Sequence, residues 1–245
     1  DVFLYEAGGE PKHRDTQQVA NYREAMKFSL DQLENGRDLT KHLIETIHGI
    51  LLKDVRHSGS IGKYREEVVY IGEKDTDPIE KALYVPMKPL TVAEYMENLL
   101  EYVNHGKEDI LIRTGVFHYQ FEAIHPFSDG NGRMGRLLIP LILYQNYRLS
   151  QPILYISSYL EKNRTKYIES LHSVDQQGKY ENWLAFYFTA VSEQLKETQM
   201  LVDSIYSLYA EIENKFEKSK SPYLIPRINH ICEAPFTTIP MAKKA

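Results

Sequence analysis

The stretch His125–Arg136, HPFSDGNGRMGR, decides how the chain is read. An almost wholly apolar run, DILIRTGVFHYQFEAI, leads into it from Asp109, and another, LLIPLILY, leaves it at Leu137. Two buried helices joined by a polar, glycine-rich turn account for that pattern. Within the turn, Gly130, Asn131 and Gly132 bend tightly, because glycine tolerates positive φ and lets backbone N–H groups converge. Such a nest binds anions. The helix that follows adds unpaired N–H donors and the positive end of its dipole. Arg133 and Arg136, three apart, project from one face of its first turn, and guanidinium groups bind phosphate oxygens in a bidentate way. Asp129 among these positive groups is explained if a divalent cation bridges it to a phosphate, which is how Mg²⁺ is usually held. His125, with an ordinary pKa of about 6.5, suits a general base. Phe127 is expected to face inward and pin the loop. Each feature alone has a bland reading: a structural histidine, a plain turn, a solvated basic face. Together and in this order they favour a phosphate-binding catalytic loop.

The rest of the chain gives that loop its setting. With 245 residues there is enough chain for one sizeable core or a domain plus an appended piece. A net charge of −5 disfavours a general electrostatic grip on nucleic acid. The single cysteine excludes an intrachain disulfide and argues against a cysteine-built metal site, a pattern that fits a cytoplasmic protein. No run approaches the roughly 20 apolar residues that span a bilayer, so no membrane partner is expected. Most segments read as helix: one after a cap at Asp15 with a stop at Gly36, one from Thr40, and one from a capping box at Thr91 and Glu94. A further helix starts at Asp109. Others are expected near 165–174, 180–191 and 193–217, while Pro140 interrupts an otherwise helical run. The β-branched and aromatic pieces YREEVVYIG and ALYVP read as one β-hairpin over about 61–88. The fold class is therefore all-α with a single hairpin.

HPFSDGNGRMGR resembles the signature of the Fic family, H-x-F-x-[D/E]-G-N-G-R-x-x-R, with every specified position filled. GKYRE and the hairpin after it resemble the family's flap, and the helices from 15 to 191 follow its catalytic core in order. The resemblance implies transfer of AMP from ATP to a Ser, Thr or Tyr hydroxyl of a protein, with Mg²⁺. His125 would take the proton of that hydroxyl. Asp129 would hold the metal, and Gly130, Asn131 and Gly132 would cradle the phosphates, the Asn131 side chain meeting the α-phosphate. Arg133 and Arg136 would hold the β and γ ends. Glycine at 132, where phosphate-transferring relatives resembling Doc carry lysine, points to nucleotidyl transfer. In YLEKNRTKYIESL, Tyr167 and Asn163 match the segment that walls the adenine pocket. Ala82, Leu83, Tyr84 and Val85 would pair main chain to main chain with an extended target segment. His57, His118 and His172 have no comparable context and read as structural or surface residues. Transfer of UMP or phosphocholine, or a nucleotide-binding, DNA-associated regulator, are the alternatives.

The same resemblance frames the ends. Glu34-Asn35 mimics the close of the family's inhibitory motif, but Leu30 stands where Ser or Thr belongs. The opening DVFLYEAGG resembles the segment that follows an N-terminal inhibitory helix in some relatives, which implies an inhibitory region ahead of Asp1. The catalytic core is assigned to 1–200. Residues 201–245 would comprise a long tail helix, a linker and the start of a winged helix, through which alone DNA would be bound. Many relatives dimerise, so a homodimer is also an expectation.

Overall fold

The computed structural model describes residues 16–33, 37–55, 57, 59–72 and 78–216. Its α-helices are α1 (Thr16–Leu33), α2 (Lys41–Leu51), α3 (Pro89–His105), α4 (Ile110–Ile124), α5 (Asn131–Gln145), α6 (Ser157–Lys162), α7 (Arg164–Gln177) and α8 (Glu181–Phe216). A 3-10 turn covers Ile79–Lys81. Of the described residues, 21–195 form one compact unit, and 16–20 with 196–216 form a second. Asp15, Gly36 and the expected linker and winged-helix start beyond 216 lie outside the described residues.

Local chemistry explains where these helices start. The Thr40 hydroxyl accepts from Leu43 N–H at 3.2 Å, and Asp109 accepts from Leu111 N–H at 2.9 Å, each meeting an orphan donor of a first turn. Helix α3 starts at Pro89 rather than at the Thr91 box. Proline at the first position has its φ preset and loses no helical bond, and the Thr91 hydroxyl turns back to the Lys88 carbonyl instead. Nothing between Val191 and Glu193 breaks a helix, so the two expected terminal helices are one, α8. Pro140 stays inside α5 and is buried there.

The centre of the larger unit is α4, packed on α3 and α5. It has no polar stripe, because both sides are covered: Phe117, Phe121 and Ile124 are buried, as are Arg113 and Thr114. Two of its buried polar groups are met locally, Thr114 by the Ile110 carbonyl at 2.6 Å and Arg113 by the Val103 and Glu108 carbonyls. The buried Trp183 and Tyr187 of α8 close the core, with the Trp183 indole N–H donating to Gly115 at 2.8 Å.

The expected β-hairpin is not seen. Among the described residues there is no strand, only an isolated antiparallel bridge between Ile71 and Tyr84. Ile71 N–H donates to Tyr84 at 2.9 Å, and Leu83 N–H to Ile71 at 2.8 Å. The backbone at 65 bonds elsewhere: Arg65 N–H donates to the Pro126 carbonyl at 2.9 Å. Strand propensity describes fit to a sheet, and here α4 and the loop after it take the place of one.

Candidate active site

The loop after α4 is built by a chain reversal at His125, whose backbone is left-handed (φ 52°, ψ 62°). Phe127 then plunges into the core and is fully buried, as expected. The Asn131 amide closes the loop reciprocally, accepting from Phe127 N–H at 2.9 Å and donating to the Phe127 carbonyl at 2.7 Å. That side chain, expected at a phosphate, is buried and occupied with holding the loop's shape. Gly130 caps α5 with φ 79°, a conformation costly for any residue with a Cβ. Its carbonyl accepts the first helical bond, from Met134 N–H at 2.9 Å. The N–H groups of Asn131 and Gly132, ahead of that bond, have no intrahelical acceptor.

Charge gathers at this helix start. Arg133 lies 3.4 Å from Asp129, whose carboxylate also accepts from Gly130 N–H at 2.5 Å. A Cβ on residue 132 would meet the Arg136 guanidinium at 2.9 Å, so that guanidinium lies over the first turn and needs glycine there. The His125 ring has Nδ1 3.3 Å from the Glu122 carbonyl. A carbonyl only accepts, so Nδ1 carries the proton and Nε2 keeps its lone pair. Burial lowers the His125 pKa to about 4, so the ring is neutral at physiological pH. This is the state a proton acceptor needs.

Beside Arg136 lies a buried polar cluster. His118, fully buried, meets the Tyr167 hydroxyl at 3.0 Å, and burial lowers its pKa to about 3. Tyr167 packs between Trp183 and Phe186, with its hydroxyl pKa pushed well up by burial. Burial also raises the Glu122 carboxyl to about 7, against the opposing pull of Arg136. Its Oε1 has no hydrogen-bond partner among the described residues. Asn163 sits at the α6–α7 junction and turns its amide to the Tyr159 carbonyl at 3.0 Å. Tyr167 thus belongs to the wall around Arg136, whereas Asn163 is engaged with its own helix. In the flap segment, Leu83 and Val85 face solvent, Ala82 is half-buried, and the Tyr84 hydroxyl donates to the Ala123 carbonyl at 3.0 Å.

Against known proteins, residues 38–143 match the model of the Fic/DOC family. That span includes α2 through most of α5 and the whole loop. A probable protein adenylyltransferase of Aquifex aeolicus is 33% identical over 96 residues, which cover 39% of this chain and 28% of that protein. The protein adenylyltransferase Fic of Aedes aegypti is 28% identical over 213 residues, 80% of this chain and 39% of that protein. The chain therefore spans well under half the length of either relative. A crystal structure of a Fic family protein from Desulfovibrio desulfuricans superposes with a TM-score of 0.68 at 25% identity, covering 82% of this chain and 58% of that one. Fic-1 from C. elegans shares the fold, with a TM-score of 0.59 at 20% identity, over 83% of this chain and 57% of that one.

Residues 38–143 carry a Fic domain.

Two residues that organise this Fic domain went unassigned from sequence. Arg65, only 2% exposed, donates to the carbonyls of His125 (2.7 Å), Met87 (2.7 Å), Glu67 (3.0 Å) and Ile124 (3.2 Å). It ties both arms of the flap segment to the end of α4. His48 is fully buried on the stripe of Ile44, Ile47 and Leu51. A histidine on an otherwise aliphatic stripe was its one signal. Arg65 had none beyond its place in GKYRE. Glu122 was marked only by being an acid in an apolar helix.

Proposed function

We propose that this chain transfers AMP from ATP to a Ser, Thr or Tyr hydroxyl of a protein and releases pyrophosphate. The observation that carries this reading is the helix start at Asn131. N–H groups without an intrahelical acceptor and two guanidinium groups converge there, one loop away from an imidazole whose Nε2 keeps its lone pair. The names of the relatives, protein adenylyltransferases, support the same chemistry.

In this reaction the target oxygen attacks the α-phosphorus and the bond from that phosphorus to the bridging oxygen breaks. His125 Nε2 takes the hydroxyl proton, while Nδ1–H stays on the Glu122 carbonyl and fixes the ring. Backbone N–H groups of Asn131 and Gly132, with Gly130 making the turn, receive phosphate oxygens. Arg133 and Arg136 balance the remaining charge, donors preset for charge that shifts during transfer. A general base of this kind contributes about 10²–10⁴-fold.

Asp129 fits Mg²⁺ carried in on the nucleotide. It offers one partly exposed carboxylate, and no group of three acidic, histidine or cysteine side chains able to cage a metal occurs among the described residues. One carboxylate completed by phosphate oxygens and water is a usual Mg²⁺ arrangement. The metal would neutralise phosphate charge. Tyr167 would border the nucleotide near Arg136, and Asn163 is a weaker contact because its amide is engaged. Leu83 and Val85, exposed on either side of the anchored Tyr84, suit the flap to receive a target segment beside Ala82.

Incubating the protein with lysate, Mg²⁺ and ATP labelled at either the α or the γ phosphate tests the reading. Label is expected on protein from the α position only, and lost in His125→Ala. Label arriving only from the γ position overturns it.

A further inference from the structure

His48 touches two distant segments at once. Its Nδ1 accepts from Gly62 N–H at 2.9 Å, and its Nε2 lies 2.9 Å from the Asp129 carbonyl. An amide N–H only donates and a carbonyl only accepts, so the ring is neutral with its proton on Nε2. The ring also stacks flat on Phe127, centroids 3.7 Å apart and planes at 4°. Filling the core does not require this: a phenylalanine would fill the space but leave the Gly62 donor and the Asp129 acceptor unmatched. Gly62, at φ 69°, opens the segment that carries Tyr64, Arg65 and then the flap. Asp129 and Phe127 belong to the loop that starts α5.

We propose that His48 is a positioning residue that couples the base of the flap to the anion-binding loop, with one ring nitrogen assigned to each. The link to nucleotide rests on the adenylyltransferase reading; the coupling itself does not. Loss of the Nε2 bond frees the Asp129 carbonyl and loosens the phosphate seat. Loss of the Nδ1 bond frees Gly62 and loosens the flap base, leaving the seat in place.

Three substitutions separate these bonds. His48→Asn places an amide oxygen near the Nδ1 position, His48→Gln places an amide nitrogen near the Nε2 position, and His48→Phe keeps the stack but neither bond. Amide hydrogen exchange is measured without nucleotide, and ATP–Mg²⁺ affinity by calorimetry. In His48→Gln, exchange around 59–64 should quicken while 129–133 and the ATP affinity stay within about twofold of wild type. In His48→Asn, 129–133 should quicken and ATP should bind about tenfold more weakly, the scale of one neutral hydrogen bond. His48→Phe should lose both. If Asn and Gln variants change both regions together in step with melting temperature, or change neither, His48 only packs and the proposal falls. In the unaltered protein, nitrogen NMR of the imidazole should show the proton on Nε2; a proton on Nδ1 overturns the proposal without any variant. Should wild type fail to bind ATP, the adenylyltransferase reading fails, and the exchange pattern still decides the coupling.

Discussion

The 125–136 loop and the 59–88 segment border the same site but are held in different ways. The loop is anchored by packing: Phe127, Met134, Leu137 and Leu138 are fully buried, and α4 and α5 clasp it from both sides. In the flap segment Val68, Leu83 and Val85 turn outward, at 60%, 59% and 50% exposure. Discrete hydrogen bonds fix it instead, from Arg65, from Tyr84 and at the Ile71–Tyr84 bridge. A packed element resists local change because its neighbours are close-packed. A segment hung from a few polar anchors can shift when one is cut.

Cutting the principal anchor should break the contrast most visibly. Arg65→Met leaves several inward carbonyls without a donor and should cost about 3 kcal/mol, since each buried unsatisfied group costs about 1–3 kcal/mol. Urea unfolding reads the loss. Hydrogen exchange should show 64–71 and 82–88 opening while α4 and α5 stay protected. If all of these open together, the flap is as much a part of the packed core as the loop is.

A smaller effect sharpens the view of the interior. Glu122 ionises at about 7 in the fold and about 4.5 when unfolded. Below about pH 4.5 it is protonated in both states. Between there and pH 7 the unfolded chain releases the proton first, so stability falls as pH rises and levels off above 7. Glu122→Gln removes that loss. Its stability relative to wild type should improve from pH 5 to pH 8 by up to about 3 kcal/mol. Parallel stability–pH curves for the two proteins would show that the carboxyl is not held in a desolvated site.

The same division marks what could be read in the sequence. Thr40, Asp109 and the glycine-rich turn lie next to the elements they shape, so the starts of α2, α4 and α5 were legible from caps and spacing. Phe127 pointed inward for the same local reason. The flap departs from the hairpin that the strand composition of YREEVVYIG and ALYVP suggests, because the partner of Arg65 N–H, at Pro126, lies 61 residues on. Distant partners also hid His48 and Arg65. No spacing rule shows that a carbonyl on one segment will need a donor from another.

The most direct test is a crystal structure with Mg²⁺ and a non-hydrolysable ATP analogue. The triphosphate should lie on the Asn131 and Gly132 N–H groups, with Arg133 and Arg136 engaged, Asp129 on the metal and His125 Nε2 directed toward the α-phosphate. A nucleotide bound away from the start of α5, or a His125 ring turned from the α-phosphate, would contradict the proposed chemistry.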